Sequence, residues 1–158
     1  MQDAAIFIPA RLASTRFPNK PLALINGKEM ILHVVERAKE SDIKDVYVAC
    51  CEDEVKNLLD DKGVKSVMTN PDHPSGTDRI YEAMINSGKE YDYIVNVQGD
   101  LPSLDPKIIN IAIDILKENQ DADIATLAAV INEDHEKDNP NVVKAVISIK
   151  TGDDRVKD

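Results

Sequence analysis

The chain has 158 residues, a size suited to one domain, and 42% of them are hydrophobic, which is enough for an ordinary core. Its net charge of -10 argues against a general nucleic-acid or anionic-membrane surface, and its 4% aromatic content argues against base-stacking platforms. No apolar run reaches membrane-spanning length, the N-terminus lacks a signal-peptide pattern, and the adjacent Cys50 and Cys51 fit a reducing compartment. We therefore expect a cytoplasmic protein with one domain, residues 1–158.

Apolar runs alternate with amphipathic stretches along the chain. The predicted strands are residues 4–8, 45–50, 66–69, 93–97, 124–131 and 142–149. The predicted helices are residues 29–40, 53–62, 77–87 and 106–118. This alternation predicts an α/β fold with a mostly parallel sheet and helices on both faces. Ligands of such sheets bind beyond the carboxyl ends of the strands, where the strand order reverses.

A cationic, proline-rich segment, residues 9–21, follows the first predicted strand. Between Ala4 and Lys28 the sequence has four basic residues and no acidic one. The guanidinium groups of Arg11 and Arg16 suit bidentate phosphate contacts, and Lys20 adds a point charge. The segment lacks the glycine patterns of Walker and Rossmann loops. It therefore predicts a glycine-free polyphosphate site, with a solvated basic loop as the alternative.

Two further polar segments follow predicted strands. In residues 72–79, Ser75, Gly76 and Thr77 at a helix start predict an N-cap and a close backbone approach, and the N–H groups there can bind a phosphate or a base edge. Arg79 in the first turn opposes the helix dipole, which suggests that it has an anionic partner. An ordinary capping loop is the alternative there, with His73 as a hydrogen-bonding loop residue. In residues 98–100, Gly99 permits a sharp turn and Asp100 offers a carboxylate for Mg²⁺, although a simple turn is also consistent.

Taken together and in this order, residues 8–22, 72–79 and 96–100 closely resemble the 3-deoxy-manno-octulosonate (Kdo) cytidylyltransferase family of lipopolysaccharide biosynthesis. The resemblance extends to residues 26–34 and 139–144. It implies a nucleotide-diphospho-sugar transferase (Rossmann-like) fold and a nucleotidyltransferase that converts CTP and Kdo into CMP-Kdo and pyrophosphate. It also implies a homodimer for the full-length family, with neither nucleic acid nor membrane as a partner.

The resemblance also implies roles for individual residues. The catalytic residues would be Arg11, Lys20 and Asp100. The nucleotide-binding residues would be Ala10, Arg11, Ser14, Arg16, Lys20, Ser75, Gly76 and Arg79. Gln98 would contact the sugar, and Asp100 would bind Mg²⁺.

Three departures from the family pattern stand beside the resemblance. Leu101 replaces a glutamate, Cys50-Cys51 replace a Thr-Asp pair, and the chain ends soon after Val143. We therefore expect the N-terminal, CTP-binding part of such an enzyme, truncated at its C-terminus, with an exposed sheet edge that favours self-association or marginal stability. The alternatives are a different sugar-acid cytidylyltransferase, such as a sialic-acid-type enzyme, and a nucleotide-binding module without turnover.

Overall fold

The structure is a computed structural model that describes residues 4–13 and 18–146. The strands are β1 (Ala4–Pro9), β2 (Leu24–Ile25), β3 (Lys28–Glu29), β4 (Asp45–Cys50), β5 (Ser66–Met68) and β6 (Tyr93–Asn96). The helices are α1 (Met30–Lys39), α2 (Asp53–Asp61), α3 (Gly76–Asn86), α4 (Pro106–Glu118) and α5 (Asp134–Asp138), with a 3₁₀ turn at Lys20–Leu22. The chain divides into two compact units, Met1–Ala125 and Thr126–Asp158, and α5 is the helix described in the second.

The main sheet has four parallel strands in the order β5-β4-β1-β6. The chain first moves outward from β1 through β4 to β5, and then crosses to the other side of β1 to form β6. The order therefore reverses between β1 and β6, which is where ligands of such sheets bind. The prediction of an α/β fold with a parallel sheet is confirmed.

Side chains of β1 point alternately to the two faces of the sheet, as strand geometry requires. Ile6 and Ile8 are fully buried in a core that also includes residues of α1, α2 and α4. Phe7 lies on the opposite face, where it packs with Tyr47 and with Ile80 of α3. Helices thus cover both faces, and β1 is buried at the centre of the unit.

Asp45 begins β4 at the edge of the sheet opposite to the strands' carboxyl ends. It is 4% exposed and accepts hydrogen bonds from Lys65 Nζ (2.5 Å), Tyr91 Oη (2.8 Å) and Lys89 Nζ (3.2 Å). Burial by itself raises the pKa of Asp45, but the hydrogen bonds outweigh it and lower that pKa to about 2. The carboxylate therefore stays ionised in the interior because three donors compensate for its lost hydration.

The last two predicted strands are wrong where the structure describes them. Residues 124–131 and 142–146 form no strand, and Ile124 and Val143 are 83% and 96% exposed. Residues 147–149 of the second prediction lie outside the described residues. β-branched composition favours a strand only where the backbone can pair with a neighbour, and the described sheet ends at β6 without these segments. None of the described helices is both long and apolar enough to cross a membrane.

Candidate active site

A cleft of about 150 Å³ lies where the strand order reverses, beyond the carboxyl ends of β1 and β6. Its walls come from all three of the polar segments that the sequence singles out. The predicted site residues that line it are Ala10, Arg11, Ser75, Gly76, Arg79 and Gln98. Ser14 and Arg16 lie outside the described residues. The parallel sheet therefore gathers segments that are nearly ninety positions apart into one site.

Hydrogen bonds from three main-chain N–H groups hold the two ends of the cationic segment after β1. Ala10 N donates to the Ala49 carbonyl of β4 (2.8 Å), which extends the strand pairing by one residue. Leu12 N donates to Glu52 Oε1 (2.9 Å), and Asn19 N donates back to the Leu12 carbonyl (3.1 Å). These bonds fix both ends of the loop against the end of β4.

Lys20 lies in the short 3₁₀ turn that follows Asn19. Asn19, with φ of 56°, adopts a left-handed conformation that asparagine tolerates, and so turns the chain into Lys20–Leu22. Lys20 Nζ is 2.6 Å from Asp100 Oδ2, and both side chains are partly exposed. An exposed pair of this kind adds little stability. Its significance is positional, because it joins the cationic loop to the turn that follows β6.

Gly99 sets the position of that turn through a close backbone approach. A Cβ atom at Gly99 would lie 2.8 Å from the Pro9 carbonyl oxygen, closer than side-chain carbons are found in proteins. Glycine is therefore required at this position because the turn packs directly against the end of β1. The neighbouring Gln98 lines the cleft, and Asp100 reaches Lys20.

Helix α3 begins at the cleft with the predicted N-cap. Ser75 Oγ accepts a hydrogen bond from Asp78 N (3.2 Å) and donates one to Asp78 Oδ2 (2.5 Å). A Cβ atom at Gly76 would lie 3.3 Å from Pro9 Cγ, so the first turn of the helix packs closely against β1. The helix therefore presents the positive end of its dipole to the cleft.

Arg79 is a buried cation in the wall of the cleft, only 2% exposed. Its Nη1 donates to Thr69 Oγ1 (2.6 Å), and its Nη2 lies 3.5 Å from the Pro71 carbonyl. Across residues 4–13 and 18–146, no carboxylate forms an ion pair with it. A buried charge needs compensating partners, so the remaining N–H groups of Arg79 favour a ligand rich in acceptor oxygens.

His73 holds the loop between β5 and α3. Its Nε2 shares a hydrogen bond with Glu82 of α3, and Asn70 N donates to the same Glu82 oxygen (2.8 Å). Hydrogen bonds from His73 and then from Asn70 lower the pKa of Glu82. This arrangement agrees with the interpretation of His73 as a hydrogen-bonding loop residue.

Cys50, the last residue of β4, and the following Cys51 are free thiols. Burial raises the pKa of the Cys50 thiol to about 11, and burial together with a hydrogen bond to Glu52 raises the pKa of Cys51. Reactive cysteines need the opposite shift, because the thiolate is the nucleophile. Neither thiol is therefore activated as a nucleophile.

Two residues of the site were missed by sequence reasoning. Thr69, the first residue after β5, supports Arg79, and Glu52 supports the base of the cationic loop. The second carboxylate oxygen of Glu52 is buried without a hydrogen-bond partner. Every other buried side-chain nitrogen or oxygen of the described residues has one. The one available signal was position, since both residues follow strands at the carboxyl edge of the sheet.

The donor set near Asp100 suits one kind of metal site. No cluster of three or more His, Cys, Asp or Glu side chains able to hold a metal occurs within the described ranges. Zinc and calcium sites need several protein ligands, whereas Mg²⁺ is commonly held by one or two carboxylates together with substrate phosphates. Asp100, beside a cationic loop, fits the second arrangement.

Comparison with known proteins agrees with this geometry. The family profile described as "Cytidylyltransferase" matches residues 5–155. The 3-deoxy-manno-octulosonate cytidylyltransferase of Paramagnetospirillum magneticum is 49% identical over 149 residues, which cover 93% of this chain and 60% of that protein. The protein of the same name from Methylorubrum extorquens is 51% identical over 148 residues, which cover 92% and 60%.

A solved structure is similar as well. The structure of CMP:2-keto-3-deoxy-manno-octonic acid synthetase complexed with CTP superposes with a TM-score of 0.70 and is 39% identical. The superposition covers 75% of this chain and 48% of that one. The chain thus spans about 60% of the length of the curated relatives it matches. On its sequence match and its fold, the chain belongs to the cytidylyltransferase family.

Proposed function

We propose that this chain forms the nucleotide-binding part of a 3-deoxy-manno-octulosonate cytidylyltransferase, which transfers CMP from CTP to Kdo and releases pyrophosphate. The observation that supports it most is the meeting of the three predicted segments in one cleft at the point where the strand order reverses. A relative with this fold was solved with CTP bound. The cytoplasmic location and the homodimer of the full-length protein stay predictions.

In this proposal the cationic loop binds the triphosphate of CTP. Arg11 at the cleft and Lys20 in the 3₁₀ turn supply positive charge, together with Ser14 and Arg16. Cytidine lies against Ala10 and the first turn of α3, where Ser75 and Gly76 bring the backbone close. Arg79 offers its buried guanidinium to an acceptor oxygen of the nucleotide.

The reaction joins a hydroxyl oxygen of the sugar to the α-phosphorus of CTP and breaks the bond from that phosphorus to the pyrophosphate oxygen. Gln98, in the wall of the cleft, contacts the sugar, and Asp100 binds Mg²⁺. When bound, Mg²⁺ neutralises phosphate charge and orients the leaving group. Catalysis of this type depends on positioning and charge stabilisation, which fits a site without an activated nucleophile.

Two measurements test the proposal. Calorimetric titration with CTP and Mg²⁺ should show binding that an Arg79→Leu variant loses and that a variant of the exposed Lys39 on α1, Lys39→Ala, retains. Pyrophosphate release in the presence of CTP, Mg²⁺ and Kdo should then report turnover. Absence of CTP binding by the folded wild-type chain would contradict the proposal.

Asp100 has its own test. Mg²⁺ should tighten CTP binding to the wild-type chain, and Asp100→Asn should abolish that dependence while leaving metal-free binding in place. If the dependence survives the substitution, Asp100 is not the metal ligand.

A nucleotide-binding module without turnover is the second candidate. CTP binding without pyrophosphate release at high protein concentration would select this function. Release of pyrophosphate that depends on Kdo would exclude it, and a sialic acid in place of Kdo distinguishes the two sugar-acid substrates.

A further inference from the structure

We propose that Thr69 is a positioning residue that fixes the direction of the Arg79 guanidinium in the cleft. The contact between Arg79 Nη1 and Thr69 Oγ1, at 2.6 Å, is shorter than the 3.5 Å contact between Nη2 and the Pro71 carbonyl. The Cys51 thiol is a further partner of the guanidinium, but sulfur forms only weak hydrogen bonds. The inference rests on the proposed function only for the identity of the ligand. The positioning of Arg79 by Thr69 is a property of the chain itself.

Thr69 is held rigidly at the carboxyl edge of the sheet. Its main-chain N–H donates to the Cys50 carbonyl (2.9 Å), and its hydroxyl donates to the same carbonyl (3.0 Å). A hydroxyl has one proton and two lone pairs. Because the Thr69 hydroxyl donates its proton to the Cys50 carbonyl, the lone pairs of the hydroxyl oxygen can accept a hydrogen bond from Arg79. The orientation of the hydroxyl is therefore set by the end of β4.

The other forces on Arg79 are weak or unfavourable. The Pro71 carbonyl lies 3.5 Å from Nη2, at the limit of a hydrogen bond. Within the described residues Arg79 has no ion pair with a carboxylate. Its position near the start of α3 sets its charge against the positive end of the helix dipole. The hydrogen bond to Thr69 Oγ1 is accordingly the contact that selects one rotamer of the long Arg79 side chain.

This arrangement leaves donors for a ligand. Arginine carries five N–H groups, and the contacts with Thr69, Pro71 and Cys51 engage three of them. The side chain lines the cleft, so the others can donate to a base carbonyl or a phosphate oxygen. A guanidinium that is held in place before binding loses less entropy when the ligand arrives. Loss of the Thr69 hydroxyl should therefore weaken nucleotide binding on the order of tenfold.

The test compares Thr69→Val with Thr69→Ser. Valine keeps the shape and removes the hydroxyl, whereas serine keeps the hydroxyl. The Thr69 N–H bond to Cys50 survives in both, so both variants should fold. The exposed Thr126, which does not line the cleft, provides the matched control, Thr126→Val. Thr69→Ala removes the same hydroxyl without a branched side chain and serves if the valine variant does not fold.

The first readout needs no nucleotide. The Arg79 Nε–Hε resonance in a ¹H–¹⁵N spectrum, assigned by its absence in Arg79→Lys, reports the order of the guanidinium. We expect a sharp resonance in the wild-type, Thr69→Ser and Thr126→Val proteins, and a broadened or shifted one in Thr69→Val and Thr69→Ala. An unchanged resonance in the valine and alanine variants would overturn the inference.

The second readout is the Kd for CTP, measured by calorimetry. It should rise on the order of tenfold in Thr69→Val and stay near the wild-type value in Thr69→Ser and Thr126→Val. Equal affinities of the serine and valine variants would also contradict a positioning role. If the wild-type chain binds no CTP, the proposed function fails, and the nucleotide-free resonance still decides the role of Thr69.

Discussion

The buried carboxylate of Asp45 makes the stability of the fold depend on pH in a calculable way. Its pKa falls from an ordinary 3.8 to about 2, since hydrogen bonds from Lys65, Tyr91 and Lys89 outweigh the effect of burial. At 1.36 kcal/mol for each pKa unit, this shift corresponds to about 2 kcal/mol of stability. Asp45→Asn should therefore lower the free energy of unfolding by about 2 kcal/mol at pH ~7.

The sign of the pH dependence follows from the direction of the shift. A carboxyl group with a lowered folded-state pKa stabilises the fold fully above its unfolded pKa of 3.8. That contribution declines as the pH falls toward about 2 and is lost below it. The difference in stability between the wild-type and Asp45→Asn proteins should thus be constant near neutrality and shrink in this acidic range.

Urea unfolding followed by circular dichroism at several pH values measures both effects. Asp61→Asn, which changes an exposed aspartate at the end of α2, is the matched control and should alter stability little at any pH. A variant at position 45 as stable as the wild type at neutral pH would refute the reasoning. So would a difference between the two proteins that does not change between neutral and acidic pH.

Three other predictions concern the site. Gly99→Ala should destabilise the fold by roughly 1–3 kcal/mol in urea unfolding, because its Cβ would lie 2.8 Å from the Pro9 carbonyl; unchanged stability would contradict the close packing. Glu52→Ala should weaken CTP binding because it removes the acceptor for Leu12 N, whereas Glu52→Gln keeps an acceptor and should retain affinity. Equal calorimetric Kd values for CTP in these two variants would exclude this role of Glu52. Cys50 and Cys51 should react slowly with iodoacetamide at neutral pH, and rapid alkylation of the folded protein would show that their thiol pKa values are not raised.

The sequence predicts the sheet well because each strand carries a complete apolar run and each helix its own periodicity. It also predicts that the three polar segments meet at one edge of the sheet, since the carboxyl ends of parallel strands share that edge. The hairpin β2–β3 was missed, although Asn26-Gly27 is a strong signal for a two-residue turn, and both residues have positive φ. The prediction of a strand at residues 124–131 is wrong because the composition of a segment does not show whether a neighbouring strand is present to pair with it.

Within the site, chemistry was easier to predict than contacts. The sequence predicts a cationic loop and an anionic Asp100 at the same edge of the sheet. The ion pair between Lys20 and Asp100, however, depends on tertiary geometry. The helix-dipole argument indicated that Arg79 needs a partner and suggested an anion. Within the described residues its strongest contact is instead the neutral hydroxyl of Thr69. Thr69 belongs to no sequence pattern that distinguishes it from the other threonines of the chain.

The central place of β1 has a consequence for how the chain is made. β1 is synthesised first, yet its hydrogen-bonding partners β4 and β6 emerge about 40 and 90 residues later. At ~5–20 residues per second, the ribosome needs roughly 5–20 s to deliver the second neighbour. Throughout that interval the apolar strand that will form the middle of the protein has at least one unpaired edge. The strand that borders the cleft is thus made before both of its neighbours and is among the last to have its hydrogen bonds completed.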